Sequence, residues 1–330
     1  MPILISMKIL NAGISGIQDP GRPGFRSFGI TPGGAMDQQA LRLTNLLAAN
    51  EPSAATIEIA AGNWAAIALS DHLIAVGGHN HQVEIAGKPV AKWHPHLLQA
   101  GETISIAAPS GGYAYIAIHG GIRCQPVLGS RSTFAAGGFG GIQGRLLKNG
   151  DLLPLAVLST LTAEKIIRRI KGPAHRPFGL AGSQLPAYDN TTIRIMKGLA
   201  FDHLTEAAQA QLGDNLFEIT AMTNRMGARL KGVPLATRIP QRSFSTAVQA
   251  GTIQLSPDGQ LLVLLADAQV TGGYPIIAQV AEADMSILVQ KPRGSSIRFQ
   301  LITHTIATGL LLDASRQIQQ LQKDLDLHLT

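Results

Sequence analysis

Short apolar and polar runs alternate along most of this chain, broken every few residues by glycine pairs or a glycine beside a proline. Alternation at a period of two puts one face of a segment into a core and the other outside it, so it predicts strands. A first strand is expected over 7–14. Others follow over 55–60, 65–69, 72–76, 81–85, 103–106, 113–119 and 151–154, punctuated by Gly77-Gly78, Gly87-Lys88-Pro89, Gly101 and Gly111-Gly112. Further strands are predicted over 192–196, 217–220, 247–255, 261–265, 287–290 and 296–301. This spacing suits antiparallel sandwiches or barrels rather than a doubly wound sheet, and the fold class read from it is mainly β.

Helical periodicity is confined to a few places. Ala40, Leu43, Thr44 and Leu47 recur on one face, Asp37 stands where an N-cap belongs, and Asn50 followed by Pro52 closes the segment. Short helices are predicted over 162–170 and 204–212. From Ser315 onward Ile318, Leu321 and Leu325 share one side of a helix that should dock on the body. Strand alternation fades over 159–189, where Gly172-Pro173, Pro177, Gly182 and Pro186 cluster. That stretch is read as a linker between an N-terminal β-rich subdomain, 1–158, and a C-terminal subdomain, 190–330.

Composition narrows the function. The 330 residues carry 27 basic and 21 acidic side chains without a basic run interleaved with aromatics, which argues against nucleic acid as a partner. No apolar run reaches the length of a membrane span, so no membrane is expected. A single cysteine, Cys124, rules out an intramolecular disulfide and a cysteine-rich metal site, and a reducing cytoplasm is the expected compartment. The pairs His79/His81 and His94/His96 would each share a strand face, but no third ligand is spaced to match. Hydrogen-bonded histidines are expected there, not a metal.

Standard catalytic signatures are missing: there is no phosphate-binding GxxxxGK loop, no GxGxxG, no GxSxG elbow and no HExxH. What stands out instead is three polar glycine loops. QDPGRPGFRSFGITPGGAMD, 18–37, is too rich in glycine and proline for a helix or a regular strand, and GGIRCQPVLGSRSTFAAGGFGGIQGR, 120–145, and DAQVTGGYP, 267–275, share its character. Loops of this kind let backbone approach a ligand closely while rigid turns hold nearby polar side chains.

These loops, together with GGIQGRLLKNGD, NRMGARLKG and GTIQLSPDGQLLVLLAD, resemble the KipA family, the allophanate hydrolase subunit 2-like, biotin-dependent carboxyltransferase-like proteins. Within it the motifs are most similar to the C-subunit group of bacterial 5-oxoprolinases, and the resemblance runs in order through nearly the whole chain. It implies two cyclophilin-like β-barrel subdomains with a few short helices. It also implies KipI-like and LamB/YcsF-like subunits as partners, and a complex that uses ATP with Mg to open the lactam of 5-oxo-L-proline to glutamate. Other family activities are a carboxyltransferase component acting on urea or a related amide, and a regulator that binds a KipI-like kinase inhibitor.

All the small substrates implied present an N–C=O group whose oxygen must be held or phosphorylated before attack. For that chemistry Arg22 and Arg131 offer guanidinium donors, and Gly33-Gly34, Gly140-Gly141 and Gly272-Gly273 offer backbone N–H groups. Asp37 or Asp267 could orient an arginine or accept a proton, whereas Gln18, Gln269, Thr271 and Tyr274 suit the amide edge. Arg22, Asp37 and Arg131 are the expected catalytic residues. Gln18, Gly33, Gly34, Gln269, Thr271 and Tyr274 are the expected substrate contacts, with no metal and no cofactor motif in this chain. Three motifs depart from the family pattern: at Ser245-Thr246-Ala247, at Ala228 in place of an aromatic, and at Val270 in the QVTGGYP loop.

Overall fold

The computed structural model describes residues 3–107, 111–156, 160–172, 178–238 and 244–328. Pro173 and Pro177 of the predicted linker lie outside them. The chain divides into two compact units. The first comprises 1–21, 37–186 and 316–330, and the second comprises 22–36 and 187–315. The glycine loop after Gly21 is therefore counted with the second unit, although the residues on both sides of it belong to the first.

The first unit opens with β1 (Ile3–Asn11) and β2 (Ile14–Gln18), which divide the single strand expected over 7–14. Gly13 makes the break. Its φ is +52°, and a Cβ there would stand 2.7 Å from the Ala61 carbonyl, so a side chain is excluded both by conformation and by space. Helix α1 (Gln38–Leu47) follows. Then come β3 (Thr56–Ala61), β4 (Trp64–Ala68), β5 (His72–Gly78), β6 (Val83–Ile85), β7 (Lys88–Pro89), β8 (Pro95–Leu98), β9 (Thr103–Ile106), β10 (Ala114–Ile118) and β11 (Leu152–Ala156). They form a six-stranded sheet in the order β11-β1-β4-β9-β6-β7 and a five-stranded sheet in the order β2-β3-β10-β5-β8.

One core serves both sheets. Met7, Ile9, Trp64, Ala66 and Ile104 from the first meet Ile17, Ile57, Ile59, Val76 and Ile116 from the second, all nearly excluded from solvent. Each fully buried aliphatic side chain of this kind contributes roughly 1.5–3 kcal/mol of transfer free energy. Helix α1 lays Ala40, Leu43, Thr44 and Leu47 inward, as its spacing predicts, and Asp37 caps it by accepting the Ala40 N–H at 2.9 Å. Helix α2 (Leu161–Lys171), within the predicted linker, packs Ala163 and Ile166 with Leu73.

The second unit is a closed barrel. Its strands are β12 (Thr192–Lys197), β13 (Leu216–Ile219), β14 (Gly227–Lys231), β16 (Thr252–Leu255), β17 (Leu261–Leu264), β19 (Ile276–Val280) and β20 (Ser296–Leu301). They run in the order β12-β19-β16-β17-β14-β13-β20, and a parallel pairing of β20 with β12 closes the ring. Period-two alternation buries Ile193 and Ile195 on β12 and Phe217 and Ile219 on β13. Phe217 meets Phe299 at 5.5 Å between ring centres. Outside the ring, β15 (Thr246–Ala247) pairs with β18 (Thr271–Gly272), and helix α3 (Glu206–Asp214) carries Thr205 as its N-cap.

The mainly β expectation holds, with local corrections beyond the split of the first strand and the unexpected strands β14 and β19. Residues 287–290, expected as a strand, end helix α4 (Glu282–Val289). So short an apolar run, Ile287 to Val289, cannot distinguish helix from strand by itself, and buried Asp284, paired with Arg194 of β12, favours the helical alternative. The strand expected over 247–255 is broken into β15 and β16. The C-terminal helix α5 (His304–His328) begins well before Ser315; Leu321 on its expected inner face is buried.

Candidate active site

In the second unit, the loop 22–36 closes on itself through the Arg22 N–H, which donates to the Pro32 carbonyl at 2.8 Å. The Thr31 hydroxyl ties it to the Ala266 carbonyl at 3.2 Å. Gly33 and Gly34 follow, with φ of +61° and +91°. A Cβ on Gly33 would lie 3.2 Å from Nη1 of Arg22 and 3.5 Å from Oδ1 of Asp267. Two opposite charges thus border the same small space, which only the missing side chain keeps open.

Arg22 is wholly buried, and Gly33 is buried with it. Asp267 follows β17 and is held by Arg225, whose Nε and Nη2 donate to Oδ2 and Oδ1 at 2.7 and 2.9 Å. This two-point geometry fixes the plane of the carboxylate. The same Nη2 donates to the Gly34 carbonyl at 2.6 Å, and the Asp267 N–H donates to the Arg225 carbonyl at 2.9 Å. Arg225, Asp267 and the Gly33-Gly34 bend therefore form one braced group with the Arg22 guanidinium at its edge. A buried guanidinium beside a carboxylate held rigidly by a second arginine is a preorganised donor for a carbonyl oxygen that gains negative charge.

The loop 267–275 belongs to the same unit. Gln269, Thr271 and Tyr274 are exposed on it. Its backbone is set by β18, by the Val248 N–H donating to the Val270 carbonyl at 3.0 Å, and by buried Gln254, whose Nε2 donates to the Tyr274 carbonyl at 3.3 Å. A Cβ on Gly272 would collide with Gln254 Nε2 at 2.5 Å, so this glycine lets the loop sit close on the barrel.

Gln18, Asp37 and Arg131 lie in the first unit. Asp19 organises that region: its carboxylate accepts from Ser130 Oγ and Ser132 Oγ at 2.6 Å each, from the Gly21 N–H at 2.8 Å and from the Arg131 N–H. Gln18 donates from Nε2 to the Thr133 carbonyl at 3.2 Å, while Arg131 donates from Nε to the Cys124 carbonyl at 3.2 Å. Burial pushes the Cys124 thiol up to about 11, so it stays protonated at neutral pH. Asp37 spends its carboxylate on the α1 cap, and its N–H donates to the Tyr115 hydroxyl at 2.8 Å. That hydroxyl in turn donates to Glu58 Oε2 at 2.7 Å. Burial, then the Glu58 and Asp37 charges, keep the Tyr115 phenol well above its ordinary range and therefore neutral.

Among the residues singled out by sequence, Arg22, Gly33 and Gly34 come together with Asp267, and Gln18 comes together with the Arg131 segment. Arg225 is not among them, although it stands inside the NRMGARLKG motif. Its signal is a charged residue in the Asn224–Gly227 turn entering a barrel strand, a sign that becomes specific only once Asp267 is known to face it. The histidine pairs are engaged as hydrogen-bonding groups: His81 Nδ1 with the His79 carbonyl, His94 Nδ1 with the Lys92 carbonyl and His96 Nε2 with the Ala91 carbonyl. Among the described residues no three His, Cys, Asp or Glu side chains gather as a metal site, and no helix is long and apolar enough to cross a membrane.

The family described as carboxyltransferase domain, subdomain A and B, matches residues 28–301, which takes in Gly33, Gly34, Arg225 and Asp267. The chain belongs to this family. It is 33% identical over 319 residues to the C subunit of Escherichia coli 5-oxoprolinase, covering 96% of this chain and 97% of that one. To the Haemophilus influenzae protein of the same name it is 33% identical over 311 residues, covering 94% and 95%. Among solved structures, urea amidolyase of K. lactis superposes with a TM-score of 0.86 at 26% identity over 97% of this chain. This carboxyltransferase-family chain spans about a fifth of that longer protein, 20% of its length.

Proposed function

We propose that this carboxyltransferase-family chain is the C subunit of an ATP-dependent 5-oxoprolinase. In this reading it opens the lactam of 5-oxo-L-proline to L-glutamate together with KipI-like and LamB/YcsF-like subunits in the cytoplasm. The observation that carries the reading is the end-to-end similarity to two proteins of that name, at 33% identity over nearly the full length of each. The braced group around Arg22 supplies a chemical rationale.

Lactam hydrolysis forms a C–O bond from water to the ring carbonyl carbon and breaks the C–N bond, with a proton delivered to the departing nitrogen. The carbonyl resists attack because nitrogen donates into it, so the oxygen must be activated. ATP with Mg, used by the complex, would supply that activation: transfer of the γ-phosphoryl group to the oxygen would release ADP, and after the C–N bond breaks a second water would hydrolyse the acyl phosphate to carboxylate and phosphate. The Arg22 guanidinium and the backbone N–H groups of Gly33 and Gly34 take the charge that develops there. Asp267, oriented by Arg225, holds Arg22 in place or accepts a proton from water. Gln269, Thr271 and Tyr274 recognise the amide edge. Gln18, Asp37 and Arg131, the other expected site residues, lie in the first unit, where their hydrogen bonds order the loops that carry them.

The test is reconstitution. Three subunits mixed with 5-oxo-L-proline and ATP should release glutamate, and leaving out this chain should abolish release. Unchanged turnover without it would refute the reading. A second reading, a carboxyltransferase component for urea or a related amide, is favoured by the family description and by the 0.86 TM-score to urea amidolyase. It requires a biotinylated carrier, so transfer of carboxyl from carboxybiotin to urea by this chain and its partners, with no lactam opening, would select it.

A further inference from the structure

A cleft of about 510 Å³ in the first unit has no part in the site described above. It adjoins β7, the last strand of the six-stranded sheet, and β8, the last strand of the five-stranded sheet. Its apolar walls include Ile85, Val90, Leu97, Ile170 and Phe178. That volume and lining match sites for small organic molecules, in which a few placed polar groups fix orientation.

The polar groups here are two imidazoles in opposite tautomers. His94 Nδ1 lies 2.8 Å from the Lys92 carbonyl, and since a carbonyl only accepts, that nitrogen carries the hydrogen and leaves the lone pair on Nε2. His96 Nε2 lies 2.7 Å from the Ala91 carbonyl, so its lone pair is on Nδ1. Burial lowers the pKa of His96 below the ordinary 6.5, which keeps it a neutral acceptor at pH 7. Gly179, next to Phe178, packs its backbone against the edge of the His94 ring. Its φ is not in the left-handed region, yet a Cβ there would stand 2.5 Å from Nε2 of His94, so any side chain at this position would push the imidazole out of place. Lys88 and Glu102 add one charge of each sign, so the lining selects no net charge.

We infer that this cleft binds a small uncharged molecule with an apolar body and an N–H or O–H donor, which His94 Nε2 or His96 Nδ1 accepts. The inference stands independently of the lactam reading.

Phenol, with a donor, and anisole, without one, are the probes. Each is titrated into the full chain while the ring nitrogens of His94 and His96 are followed by long-range ¹⁵N–¹H NMR. Phenol should saturate at millimolar concentration and move the unprotonated nitrogen of at least one of the two rings upfield, with anisole bound at least about tenfold more weakly. Gly179→Ala should weaken phenol by a similar factor. Because its methyl also approaches the Trp93 carbonyl, Leu97→Trp, which fills the cleft from its wall, serves as the second variant. Non-saturating shifts, equal binding of the two probes, or phenol binding unaffected by both variants would overturn the proposal.

Discussion

Replacing Arg225 by Met keeps most of the side-chain volume and removes the guanidinium, so it isolates the brace around the Gly33-Gly34 bend. Asp267, with 13% of its side chain exposed, would lose both of its charge-assisted hydrogen bonds, and the Gly34 carbonyl would lose a donor at 2.6 Å. Breaking a fully buried pair from one side costs roughly 3–5 kcal/mol. The 13% and 19% exposure of the two partners lets water recover part of that cost, which brings the expected loss to about 2–3 kcal/mol. In urea unfolding this corresponds to a midpoint lower by about 1 M for the transition of the second unit. The double variant Arg225→Met/Asp267→Asn should be less destabilised than the sum of the single variants by at least about 1 kcal/mol, since the stranded carboxylate is then gone. A single variant within about 0.5 kcal/mol of wild type, or strict additivity in the double, would refute the brace.

Other consequences are equally open to measurement. Gly33→Ala places a methyl at a φ of +61° and 3.2 Å from Arg22 Nη1, so the reconstituted complex should lose at least about tenfold in kcat, with a stability loss of about 1–2 kcal/mol. Full activity in that variant would show that the space is not used. His81, buried, with its pKa lowered from 6.5 to about 4 by burial and then by Lys92, is neutral when folded and binds a proton more readily when unfolded. Its contribution is therefore complete above pH 6.5 and lost as pH falls toward 4, a loss of about 3 kcal/mol. Denaturation midpoints across that window should fall for wild type and fall much less for His81→Asn. Tyr115→Phe removes the hydroxyl between the Asp37 N–H and Glu58. It should cost about 1–3 kcal/mol in thermal or urea unfolding, and a neutral outcome would mean that water replaces it.

Much of the scaffold was legible because burial in this protein follows period. Ile193 and Ile195 on β12 and the inner face of α1 are buried where their spacing places them, and Asp37 caps the helix it was expected to cap. The failures occur where local pattern carries no information about a distant partner. The run 287–290 is helical because Asp284 meets Arg194 across ninety positions of sequence. Arg225 looks like any charged turn residue until the barrel brings it to Asp267, 42 positions away. The site was half legible for the same reason. The sequence marks Asp267 as a residue able to orient an arginine, and Gly33 and Gly34 as backbone open to a ligand, but no spacing rule points to the arginine that Asp267 in fact holds. The His94/His96 pair stands out in the sequence, but nothing there marks the cleft beside β8, whose character depends on which nitrogen of each ring carries the hydrogen.

The most direct test of the proposed chemistry is the rate of glutamate formation from 5-oxo-L-proline and ATP by the complex of all three subunits when this chain carries Arg22→Lys. Lysine keeps the charge but loses the planar fork, so kcat should fall by about a hundredfold or more in a complex that still assembles. A complex that assembles normally and turns over within about twofold of wild type would contradict the account.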